Sequence, residues 1–131
     1  MSRIFEIPNT VQDVESTLDE FHAYLEATGV ENEAIHDLRL VTEELLLNTV
    51  SYGYNEGAED TLTVSVSKNS STIVLEFRDR ANPFNPLQAE ERDPDDDRIG
   101  GWGIQLMKEL TDSLHYSLVD GENILVLKKN L

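Results

Sequence analysis

The chain reads as an α+β protein: a two-layer α/β sandwich with one mixed, mostly antiparallel sheet and three helices on one face. Two kinds of pattern predict this. Apolar residues recur at helical spacing in three runs and alternate with polar residues in five shorter ones. The runs come in the order strand, helices, strands, helix, strands, and no internal repeat breaks it.

Residues 4–7 alternate apolar and polar and form a short strand ended by Pro8. Asn9 or Thr10 can cap a helix over residues 11–28, where Val14, Leu18, Phe21 and Leu25 share a face and Gly29 stops the run. A second helix spans residues 31–51 and ends near Gly53, followed by an Asn55-Glu-Gly-Ala58 loop. Leu62, Val64 and Val66 alternate with Thr and Ser, and Asn69-Ser-Ser71 turns the chain. Ile73, Leu75, Phe77 and Asp79 then share one strand face. Residues 80–98 lack periodicity, contain Pro83, Pro86 and Pro94 and carry an acidic run; they read as a loop or lid. Gly100-Gly-Trp-Gly103 leads into a helix ending near Thr111. Residues 114–119 and 124–128 form a hairpin around Asp120-Gly-Glu-Asn123.

Composition narrows the function. At 131 residues, with 39% hydrophobic content, the chain is expected to form one globular domain over residues 1–131. It has no cysteine, which removes disulfides and thiolate metal sites. Ten basic residues against 26 acidic ones give a net charge of −16, a field that repels phosphate backbones and anionic membranes. No signal-like or membrane-spanning apolar run is present, so a cytoplasmic protein is expected, with no nucleic acid and no membrane as partners.

The chemistry concentrates in the second helix, at Thr42-Glu-Glu-Leu-Leu-Leu-Asn-Thr-Val-Ser-Tyr-Gly-Tyr54. Glu44 and Asn48 lie one turn apart, about 40° apart around the axis, with Asp37 and Ser51 on the same stripe. Ala34, Leu38, Val41 and Leu45 flank it on one side, Leu40 and Leu47 on the other. Polar groups between apolar flanks need partners, which a metal ion, a water or a ligand would supply. Arg39 and Glu43 are expected to face solvent on the opposite side. Asp79, after three apolar residues on an inward face, breaks the local pattern, as residues of functional sites do. A strand that simply ends there is the plainer alternative.

Glycines ahead of a helix allow close approach of a phosphate to unpaired N–H groups. Gly100, Gly101 and Gly103 do not make a P-loop, since no Lys-Ser or Lys-Thr follows, nor a dinucleotide fingerprint. Trp102 packs over a ligand or anchors the lid. His22, His36 and His115 lack metal-ligand spacing.

Taken in order, Glu44 and Asn48 on a long helix, Asp79 at a strand end, an aperiodic loop and a glycine turn into a helix resemble the Bergerat-fold (GHKL) ATPase superfamily over residues 30–130. Within it the chain is similar to the small bacterial anti-sigma-factor serine/threonine kinases and related switch kinases. The resemblance implies the histidine-kinase-like ATPase fold, with ATP and Mg2+ as cofactors. It implies Glu44 as the catalytic residue that orients or deprotonates the attacking hydroxyl, and Asn48 as the magnesium ligand. Ser51, Asp79, Ala81, Gly100, Gly101 and Gly103, together with Asn48, are implied in nucleotide binding, Asp79 by accepting from the adenine amine. Three positions depart from the family pattern: Ala81 replaces the glycine of D-x-G, Tyr52 stands where many relatives have histidine, and Glu122 and Asn123 follow Gly121 where a small hydroxyl residue is common.

The implied function is phosphorylation of a small regulatory partner, an anti-anti-sigma (STAS-type) protein, with a sigma factor or a second copy of the chain as further partners. Two other readings stay open: a nucleotide-responsive module that sequesters a regulator without phosphate transfer, and an ATPase that closes on nucleotide with no protein acceptor.

Overall fold

A computed structural model describes residues 1–83 and 100–131, the side chains of 100–104 excepted. The order is β1 (Ser2–Pro8), α1 (Val11–Ala27), α2 (Asn32–Tyr52), β2 (Thr61–Lys68), β3 (Thr72–Asp79), α3 (Gly100–Leu110), β4 (Ser113–Val119) and β5 (Glu122–Asn130). The five strands form one sheet in the order β1-β2-β3-β5-β4. Period-two patterning puts Phe5, Ile7, Leu62, Val64, Val66, Ile73, Leu75, Phe77, Leu125 and Leu127 on a single buried face. Against it lie Val14, Leu18, Phe21 and Leu25 of α1, five residues of α2 and Met107 of α3.

The sheet is antiparallel at every pairing among the described residues, not mixed as expected. The connection from β3 through α3 brings β4 in parallel to β3, but β5 slots between them and pairs with both. No parallel neighbours result.

Local chemistry sets the element ends. Thr10, not Asn9, caps α1, its Oγ1 accepting from the Asp13 N–H at 3.0 Å. Asn9 instead donates to the Ala58 carbonyl at 2.9 Å and accepts from the Asp60 N–H at 3.2 Å. Asp120 and Gly121 have φ of 51° and 79°, the left-handed pair of a two-residue hairpin turn. The loop is therefore shorter than expected: strand resumes at Glu122, and Asn123 lies within β5 opposite Asp79. Gly100, Gly101 and Gly103 likewise belong to the first turn of α3 rather than preceding it.

Helix α2 is rotated relative to the sequence expectation. Its buried line is Ile35, Leu38, Val41, Thr42 and Leu46, while Leu40 is 38% exposed. Leucines at 38, 40, 45, 46 and 47 nearly ring the helix, so periodicity alone leaves its rotation open. The side carrying Arg39 and Glu43 is only partly open to solvent. Arg39 donates to Asp19 of α1 at 2.9 Å, and both Arg39 and Glu43 are half-buried. No helix among the described residues is long and apolar enough to cross a membrane.

Gly53, directly after α2, abuts the end of β3. A Cβ there would stand 2.6 Å from the Thr49 carbonyl oxygen and 2.8 Å from the Ala81 Cβ. Gly53→Ala is expected to lower stability by about 1–3 kcal/mol through overpacking, read by urea denaturation. Adding Ala81→Gly should restore part of that loss. A strictly additive pair would mean the two positions do not press on each other.

Candidate functional site

The stripe on α2 separates into a structural part and a free part. Asp37 faces Lys129 of β5 at 3.5 Å, and Lys129 donates to the Leu110 carbonyl at the end of α3 at 2.9 Å. This ties the C-terminal end of α3 to the N-terminal half of α2, so α3, packed along α2, begins toward the half that carries Glu44 and Asn48. Asn48 donates through Nδ2 to Glu44 Oε1 at 3.4 Å. Its Oδ1 is buried with no hydrogen-bond partner among the described residues. An unpaired buried carbonyl oxygen is costly, and a polar ligand relieves that cost. The half-buried Glu44 orients the amide so that the oxygen is the atom left free. Ser51, expected on the same stripe, is exposed.

The second half of the site is at the end of β3. Asp79 Oδ1 accepts from the Ala81 N–H at 3.0 Å and from Asn123 Nδ2 at 2.9 Å. Among the described residues Oδ2 has no partner. Burial pushes the Asp79 carboxyl above the usual carboxylate range, and nearby Asp60 and Glu122 add to it. The bonds from Asn123 and Ala81 pull the other way. Asn123, 7% exposed, also donates to the Ala81 carbonyl at 2.9 Å and accepts from the Tyr116 hydroxyl. Ala81, at the position of the family's glycine, is 6% exposed and packs its methyl toward Gly53.

The two halves are joined where α2 meets β3. The Asn82 N–H donates to the Gly53 carbonyl at 2.7 Å. Asn48 stands five residues before Gly53, about 7.5 Å along the helix axis. Asp60 braces the same corner: its Oδ2 accepts from the Tyr54 hydroxyl at 2.6 Å and from the Arg80 N–H at 2.9 Å, and its Oδ1 from the Thr61 N–H at 2.8 Å. Burial first, then the bond to Asp60, raises the Tyr54 phenol well above its ordinary value, so it remains a donor. Gly100, Gly101 and Gly103 place their backbone in the first turn of α3, where helix N–H groups lack intrahelical partners. Of the lid expected over residues 83–98, only Pro83 falls within the described residues.

The donor set suits magnesium. Among the described residues no group of three or more His, Asp or Glu gathers as a cage. Asn48 Oδ1 is a single hard oxygen without a hydrogen-bond partner among the described residues, and magnesium takes one or two protein oxygens and fills the rest with water and phosphate.

A buried amide oxygen on one helix and a carboxylate acceptor at an adjacent strand end, joined through one corner of an antiparallel sandwich, suit a protein of the nucleotide-binding ATPase class. The chain belongs to the histidine kinase-like ATPase domain family, whose pattern matches residues 7–129. It is 30% identical over 94 residues to the serine/threonine-protein kinase BtrW of Bordetella bronchiseptica, covering 69% of this chain and 66% of that one. It is 31% identical over 111 residues to the serine-protein kinase RsbW of Listeria monocytogenes, covering 76% and 69%. The fold is shared with the RsbU and RsbW domains of a Mycobacterium tuberculosis protein (TM-score 0.73, 14% identity, 98% of this chain and 32% of that one). It is shared too with the SiaB-SiaC complex of Pseudomonas aeruginosa (TM-score 0.62, 18% identity, 98% and 89%).

Sequence reasoning singled out Glu44, Asn48 and Asp79, noted Asn123 only as a departure from the family pattern, and missed Tyr116, Asp60 and Tyr54 as parts of the corner. Asn123 stood in what read as a turn. Its inward register becomes visible only once Asp120-Gly121 is recognised as a complete two-residue turn.

Because Asp79 holds its proton more tightly in the fold than in the unfolded chain, it favours the fold below the unfolded value. That advantage is lost as pH rises through the folded one. Asp79→Asn keeps an acceptor for Ala81 and Asn123 while removing the charge. It should raise the melting temperature near neutral pH, with the gain shrinking toward about pH 4. A gain that is independent of pH would mean burial does not raise the carboxyl.

Proposed function

We propose that this chain is a cytoplasmic, ATP- and Mg2+-dependent serine/threonine protein kinase acting on a small regulatory protein. A STAS-type anti-anti-sigma protein is the first candidate acceptor and a sigma factor the second. The observation that carries this reading is the orphaned Oδ1 of Asn48, oriented by Glu44 and connected through Gly53 and Ala81 to the Asp79 acceptor. The kinase names of the relatives support the same class.

Each residue has a distinct task. Asp79 Oδ2 accepts from an exocyclic amine, which adenine offers and guanine lacks at that ring position. A pocket built for such a bond rejects ligands that leave it unpaired. Asn48 would offer a neutral oxygen to the metal, and the N–H groups of Gly100, Gly101 and Gly103, in the first turn of α3, would bind the phosphates. Magnesium, when bound, neutralises phosphate charge and takes most of its ligands from water and phosphate. Glu44, one turn before Asn48, takes the proton from the attacking hydroxyl of the partner.

Incubation of the chain with labelled ATP and candidate acceptors encoded nearby should transfer label to a serine or threonine. Glu44→Ala should keep nucleotide binding and lose roughly 10²–10⁴-fold in transfer rate. Glu43→Gln, on the side carrying Arg39, should transfer normally. Asn48→Ala should weaken binding of ATP only when magnesium is present. Wild-type transfer by Glu44→Ala would remove its catalytic role. Tight binding of a partner with no transfer by the wild type would favour the sequestering module.

A further inference from the structure

A carboxamide has two N–H donors and one carbonyl oxygen. In Asn123 all three are engaged: Nδ2 donates at 2.9 Å to Asp79 Oδ1 and at 2.9 Å to the Ala81 carbonyl, and Oδ1 accepts from the Tyr116 hydroxyl. The reverse orientation would set its oxygen against a carboxylate and a carbonyl, so the amide has one acceptable pose. With both donors committed and the side chain buried, Asn123 has no donor left for a ligand. Its influence reaches the site only through Asp79.

We infer that Asn123, held by Tyr116, is a positioning residue that ties down Oδ1 of Asp79 and leaves Oδ2 as the acceptor presented to a 6-aminopurine. The inference rests on the nucleotide-binding reading for its ligand, though not for the bonds themselves. The family's common hydroxyl side chain carries one donor. The amide here carries two and spans Asp79 and Ala81 together, which also removes the Ala81 carbonyl as a competing acceptor for the amine.

Asp79 has little other help in staying ionised. The groups around it are Asp60 on the connection after α2, Glu122 on β5, Tyr54 after α2 and Tyr116 on β4. Glu122 is paired with Arg78 at 2.9 Å, Asp60 accepts from Tyr54, and the Arg80 guanidinium donates to the Asp120 carbonyl at 3.1 Å. Among the described residues no cation pairs with Asp79. Its charge is stabilised by the Asn123 and Ala81 N–H groups.

Asn123→Asp preserves shape and removes both donors. Two adjacent carboxylates cannot both ionise cheaply, so the pair takes up a proton that restores a donor to Asp79 Oδ1. ATP affinity measured by calorimetry should fall about tenfold or more at pH 8 and recover toward pH 6, while the wild type stays level across that range. Tyr116→Phe keeps Asn123 and should cost a few-fold at every pH. In the nucleotide-free protein, carbon-13 NMR of the Asp79 carboxyl should titrate higher in Asn123→Asp, and by less in Tyr116→Phe. An Asp79 titration unmoved in both variants overturns the inference, as does an Asn123→Asp protein that binds ATP like the wild type with a level pH profile. A wild type that binds no ATP would overturn the nucleotide reading alone, because the titration decides the positioning role without nucleotide.

Discussion

The last turn of α2 is pressed against the chain leaving β3, and at that contact there is room for one methyl group. Ala81 supplies it and Gly53 leaves space for it. This contact places the helix that carries Glu44 and Asn48 beside the strand end that carries Asp79. The Asn82 to Gly53 bond and the bracing of Asp60 by Tyr54, Arg80 and Thr61 hold the same corner from its other sides. Because interiors pack near crystal density, a change of one methyl here is transmitted to both halves of the site rather than absorbed.

Around that corner Oδ1 of Asn48 and Oδ2 of Asp79 have no hydrogen-bond partner among the described residues, while Asp79 Oδ1 accepts two bonds. A protein selected only for stability would close both. The raised Asp79 carboxyl shows the direction of the cost: the folded chain is less favourable with the charge than without it. Leaving acceptors open in a rigid, otherwise satisfied surround is how a binding site gains selectivity, since the ligand replaces a deficit instead of displacing an existing bond.

Two of the departures from the family pattern, Ala81 and Asn123, belong together. An alanine in place of the glycine after Asp79 needs a glycine opposite it, and Gly53 provides one. An asparagine in place of a hydroxyl residue near the last turn needs a donor for its oxygen and two acceptors for its nitrogen. Tyr116, Asp79 and Ala81 provide these. Ala81 and Asn123 thus fit one corner together.

How much was legible follows from the range of each interaction. Period-two and helical spacing placed every strand and helix in order, and the local polarity break at Asp79 and the i, i+4 pair of Glu44 and Asn48 pointed to the candidate site, because all of these are set by neighbours along the chain. Three things depended on contacts between distant segments. The rotation of α2, which brought Arg39 to Asp19 of α1 and left Leu40 exposed, was decided by which helices flank it, since leucines nearly ring its axis. The antiparallel order was decided by β5 inserting between β3 and β4. Asn123 became part of the site only through the register that sets it opposite Asp79, 44 residues away in sequence. Local chemistry in the sequence determined what each element is and which residues are unusual; cross-strand register and helix packing decided which of those residues meet, because neither is encoded in the spacing of any one segment.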